Sequence, residues 1–118
     1  LGGTNKLIIG ADSTNVTAKS GGGSTSKAKG TESADYVPFV VAVTYNHVNL
    51  TVQINNGTPA TSAVANAVSA GQVIFGYNGT DPICDADLGC VALFNSVLSA
   101  GDIQRVVRML GAEYGISV

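Results

Sequence analysis

Val91-Ala-Leu-Phe-Asn-Ser-Val-Leu-Ser99-Ala-Gly-Asp-Ile-Gln-Arg-Val-Val-Arg-Met-Leu-Gly-Ala-Glu-Tyr-Gly115 reads as a buried strand running into a capped helix. Ser99 can accept the backbone N–H of Asp102, and Asp102 is a shorter counterpart of the Glu that closes a capping box and favours the positive end of the helix dipole. Ile103, Val106, Val107 and Leu110 recur at i, i+3, i+4 and i+7, with Arg105 and Arg108 off that stripe. Gly115, after Tyr114, is placed to end the helix in a left-handed conformation. One face of this helix is expected to pack and the other to stay wet.

Upstream, the period changes from helical to alternating. Phe39, Val41, Val43 and Tyr45 alternate with Val40, Ala42 and Thr44, and Leu50, Val52 and Ile54 share a face. These are expected to be paired strands, with Asn46-His47-Val48-Asn49 as the connecting turn. Asn56-Gly57 is the signal for a further type I′ hairpin, leading into a strand over 58–65. Residues 73–77 form another strand candidate before an Asn78-Gly79 turn, and residues 84–94 another. Nearer the start, residues 6–9 and 15–19 suggest a small hairpin across the turn-rich 10–14 step. Residues 20–34, rich in Gly, Ser, Lys and Thr, read as a long flexible loop. That stretch lacks the Gly-x-x-x-x-Gly-Lys-Ser/Thr order of a phosphate-binding loop. About seven strands at turn spacings of about 8–12 residues predict an all-β sandwich with one C-terminal α-helix.

The tail resembles the end of concanavalin A-like (laminin G-like) jelly-roll domains of bacterial and phage surface proteins. The corresponding residues are Ala86-Asp87-Leu88, Phe94-Asn95-Ser96-Val97-Leu98-Ser99 and Tyr114-Gly115, and residues 37–57 are similar to the family's strand, turn, strand and Asn-Gly corner. The resemblance implies an antiparallel jelly roll, and a chain that is the C-terminal segment of a larger protein, since such domains are larger. It also places Cys84 and Cys90 in one strand, where alternation puts both on the face of Leu88 and Phe94. Six residues of strand span about 20 Å whereas a disulfide needs Cα atoms within about 7 Å, so buried free thiols are expected. The alternative is that residues 85–89 form a loop that lets the pair close.

The chain has 118 residues, enough for one domain over residues 1–118. Only 12% of its residues are charged, its mean hydropathy is +0.28, and its net charge is −2 with a pI near 5.0. Much of the polar surface must therefore come from Ser, Thr, Asn and Gly, and the few scattered lysines argue against a nucleic-acid partner. No run of about 18 apolar residues suggests a membrane span. The chain starts at Leu1 without a leader-like segment, which again suggests a piece of something longer.

Little in the chain suggests catalysis. Glycoside hydrolysis needs two carboxylates about 5–10 Å apart, usually with aromatic platforms. Here Trp is absent and the glutamates are Glu32 and Glu113. No Ser-His-Asp or Cys-His arrangement follows from spacing, and His47, between two asparagines, reads as a turn residue. No cofactor is expected. Two cysteines and one histidine are too few for a zinc site, and Asp81, Asp85 and Asp87 are calcium candidates that read better as solvated carboxylates. The sequons at Asn15, Asn49, Asn56 and Asn78 are what a chain rich in Asn, Ser and Thr makes by chance.

The expected function is thus a non-catalytic adhesion or glycan-recognition module of a larger extracellular or virion-surface assembly, such as a phage tail fibre, spike or capsid-surface protein. Its partners would be other subunits, the rest of its own polypeptide, or a cell-surface glycan. Candidate sugar-binding residues are Tyr45, Asn46, His47 and Asn49 at one turn and Tyr77, Asn78 and Asp81 at another, since Tyr offers a stacking face and Asn and Asp match sugar hydroxyls. The alternatives are an accessory domain of a polysaccharide-degrading enzyme and a structural cement module that binds no sugar.

Overall fold

A computed structural model describes residues 7–11, 15–20, 27–31, 37–64 and 88–118. Six strands and one helix are described: β1 (Leu7–Ala11), β2 (Asn15–Ser20), β3 (Lys27–Thr31), β4 (Val41–Tyr45), β5 (Asn49–Ile54), β6 (Ala60–Ala63) and α1 (Ala100–Tyr114). They form two three-stranded antiparallel sheets, in the orders β1-β2-β3 and β4-β5-β6.

This overturns the expected seven-stranded jelly roll. In a jelly roll the chain makes Greek-key crossings, whereas each sheet here is built from consecutive strands. The anticipated strand over 84–94 is also not formed where it is described: residues 88–94 carry no strand, and Leu88, Val91, Leu93 and Phe94 are exposed. Alternating apolar residues make a strand only where a neighbouring strand takes up their backbone hydrogen bonds. The strand candidate at 73–77, the turn at 78–79 and Cys84 lie outside the described residues. Cys90 is a free, exposed thiol, so its expected burial is corrected as well.

A second correction concerns the expected loop over 20–34, which contains β3. The pairing sets Val16 against Gly30, Thr17 against Lys29, Ala18 against Ala28 and Lys19 against Lys27. An edge strand draws its order from one ladder of hydrogen bonds, so a segment with almost no apolar residues can still be a strand.

The core lies between the two central strands. Val16 and Ala18 of β2 and Leu50 and Val52 of β5 are fully buried together, with Phe39, Val41, Val43, Tyr45, Ile54, Ala60 and Val64 packed around them. Register explains the grouping. Val41 faces Ile54, Val43 faces Val52, Tyr45 faces Leu50 and Ala60 faces Val52, so the apolar positions of β4, β5 and β6 share one side of their sheet. On the other side, the Thr51 and Thr61 hydroxyls lie 2.9 Å apart.

Helix α1 forms as its local signals predict. The Ser99 Oγ accepts the Asp102 N–H at 3.2 Å and donates its own proton to the Asp102 carboxylate at 2.6 Å. At the other end Gly115 has φ 65°, and its N–H and that of Ile116 both reach the Gly111 carbonyl. The helix meets β4. Val107 is its most buried side chain, with Ile103, Val106 and Leu110 half-buried, and it lies outside the inter-sheet cluster. Among the described residues no helix is long and apolar enough to cross a membrane.

Candidate functional site

The β4–β5 connection is a tight reversal whose closing hydrogen bonds run through a side chain. The Asn46 N–H donates to the Asn49 carbonyl at 3.1 Å, and the return bond from the Asn49 N–H goes to the Asn46 Oδ1 at 2.6 Å. The same oxygen accepts the Val48 N–H at 3.0 Å. Asparagine can replace a backbone carbonyl in this way because its amide lies within reach of donors two and three residues on. His47 sits at φ 67°, a left-handed conformation that His, Asn and Asp adopt more readily than other non-glycine residues. Behind the turn, the Val64 N–H donates to the Val48 carbonyl at 2.7 Å, so the chain after β6 braces it.

This geometry brings Tyr45 and His47 together. The Tyr45 hydroxyl lies 3.2 Å from the His47 Nδ1, and the two rings meet edge to face with centroids 4.9 Å apart. Tyr45 is half-buried over the core, whereas Asn46, His47, Val48 and Asn49 are exposed. The turn thus presents an aromatic pair and polar groups to solvent. Asn46 has a different role from the one expected of it, because its Oδ1 closes the turn. Tyr77, Asn78 and Asp81, proposed as a second turn, lie outside the described residues, as do the calcium candidates Asp81, Asp85 and Asp87. Among the described residues no three His, Cys, Asp or Glu side chains come together as a metal cluster.

The next turn departs from its sequence signal. A type I′ hairpin on Asn56-Gly57 needs positive φ at both residues, but here the left-handed residue is Asn55, at φ 50°. The Gly57 N–H donates to the Ile54 carbonyl at 2.8 Å, and a Cβ on Gly57 would sit 2.9 Å from that oxygen. Glycine is needed there for close approach and not for its φ. Asn55 also extends the β4–β5 ladder: its N–H reaches the Val40 carbonyl, and its Oδ1 accepts the Val40 N–H, both at 2.8 Å.

Two features of the surface were not foreseen. One is the run of exposed apolar residues Leu88, Val91, Leu93, Phe94 and Val97 ahead of the helix. The other is the arrangement of lysines, which sequence reading treated as scattered. The β2–β3 register puts Lys19 opposite Lys27, with Lys29 two residues along the same face. The Lys-Ala-Lys-Gly alternation at 27–30 was the available signal.

No family model, curated protein or solved structure matches this chain, and nothing in the comparisons identifies a jelly-roll domain.

Proposed function

We propose that this chain is a non-catalytic recognition module of a larger extracellular or virion-surface assembly, and that it binds glycan at the β4–β5 turn. The observation that carries this reading is the Tyr45–His47 pair held at an exposed tip by the Asn46 side chain. A fixed aromatic pair loses little freedom on binding, and the flanking polar groups match sugar hydroxyls. The test is a glycan array on the intact chain, followed by titration with any sugar that binds. Tyr45→Ala and His47→Ala should each weaken binding at least severalfold with little change in melting temperature. Unchanged affinity in both variants would remove the turn from consideration.

A second reading, a structural cement module, draws support from the exposed apolar run over 88–97. Contiguous exposed apolar surface of this kind marks protein contacts. Under this reading no glycan binds. Labelling of residues 88–97 would then fall when the chain is placed among its neighbours in the native assembly.

A further inference from the structure

The sheet β1-β2-β3 has two faces of unlike character. Positions 16 and 18 of β2 face the core, and the register gives that face Gly30 and Ala28 of β3. Alternation gives the opposite face Asn15, Thr17 and Lys19 of β2, with Thr31, Lys29 and Lys27 of β3 set against them in that order. Lysines 19 and 27 occupy directly opposed positions, and like charges placed so destabilise a sheet. No acidic residue occurs in β1, β2 or β3 to offset them. Net negative as it is, the chain gathers half of its six basic residues on one face of one sheet.

From this juxtaposition we infer that the outer face of the β1–β3 sheet, where Lys19 opposes Lys27 and Lys29 follows, binds an acidic polysaccharide through its carboxylates. An anion laid across the three positions replaces a cross-strand repulsion with attraction. Spacing favours a linear polymer, because neighbouring strands lie about 4.8 Å apart and residues two apart along a strand about 6.8 Å, so the lysines offer a row of anchor points. Composition favours a sugar acid over a nucleic acid. The three strands contain no arginine to clamp phosphate and no aromatic ring on which a base could stack. Asn15, Thr17 and Thr31 supply the amide and hydroxyl groups that pair with sugar hydroxyls. This surface is separate from the β4–β5 turn, so either can fail without the other.

The experiment is a titration of the intact chain, followed by NMR or thermophoresis, with three probes: an alginate oligosaccharide, a neutral dextran oligosaccharide of equal length, and an oligothymidylate of equal charge. Alginate should bind at low salt and weaken as salt is raised, while dextran should not bind at this face. The double variant Lys27→Gln, Lys29→Gln should weaken alginate binding by about tenfold, the size expected for two surface ion pairs. Lys27→Arg, Lys29→Arg should retain binding, which separates loss of charge from loss of fold, and Tyr45→Ala should leave alginate binding unchanged. The proposal is overturned if alginate does not bind, which would leave the lysines only the role of guarding a sheet edge. It is equally overturned if the Gln variant binds as well as the parent while keeping its circular dichroism, or if oligothymidylate binds more tightly than alginate.

Discussion

Two asparagines each use a side-chain oxygen where a strand would use its backbone. Asn46 Oδ1 takes two N–H groups at the β4–β5 turn, and Asn55 Oδ1 takes that of Val40 beyond the last paired residues of β4 and β5. Asn46→Ala removes an acceptor of two bonds, each worth about 0.5–1.5 kcal/mol, so urea unfolding should show a loss of about 1–3 kcal/mol. Asn46→Asp keeps the acceptor and should lose far less. At position 55, Gly suits the left-handed backbone but lacks the oxygen, whereas Val lacks the oxygen and strains the backbone as well. Asn55→Val should therefore melt below Asn55→Gly. On sheet β1–β3, Lys27→Glu turns an opposed like-charge pair into an attractive one, for a gain of about 0.2–1 kcal/mol that should fade in high salt. The first turn was legible because asparagine caps act over two or three residues. The second was misplaced by one position, because the Asn56-Gly57 signal does not reveal that Asn55 is already bonded to Val40.

At the scale of elements, α1 was the most legible part of the chain and the segment before it the least. Helix ends are decided by neighbours within one turn, and Ser99, Asp102 and Gly115 take the positions that their types predict. Ser99→Ala should cost about 0.5–2 kcal/mol. Gly111→Ala should cost more than a helix propensity scale would suggest, because its Cβ would lie 2.7 Å from a Val118 methyl and the C-terminal residues would have to move. Val107→Asp places a charge where almost no water reaches and should unfold the helix packing, whereas Arg105→Ala removes one exposed ion pair to Asp102 and should stay within about 0.5 kcal/mol of the parent. Thermal unfolding followed by circular dichroism ranks all four. The neighbouring residues 88–94 show alternation without a strand. Alternation says which side chains would share a face, and it is silent on whether a partner strand is present.

For the whole molecule, the pairing of strands was legible only between neighbours in sequence. The β1–β2, β4–β5 and β5–β6 hairpins could be read from local turns, but β3 and the meeting of β2 with β5 depend on contacts between distant parts of the chain. The cost of that arrangement falls on few side chains. Leu50→Ala, in the inter-sheet core, should destabilise by about 2–5 kcal/mol, while Leu93→Ser, at a position 70% exposed, should stay within about 0.5 kcal/mol. Cys90 should react with a thiol reagent in the folded state at the rate of an open cysteine. One long-range contact joins the exposed segment to the helix: the Tyr114 hydroxyl donates to the Gly89 carbonyl at 2.9 Å, and the ring lies where a Gly89 Cβ would be. Gly89 therefore sits in the magnetic shadow of an aromatic ring. Its two α-protons should resonate away from the usual glycine position and apart from each other, and Tyr114→Leu should collapse that splitting. A single glycine signal can thus report, without any label added to the chain, whether the segment before the helix is still held against its far end.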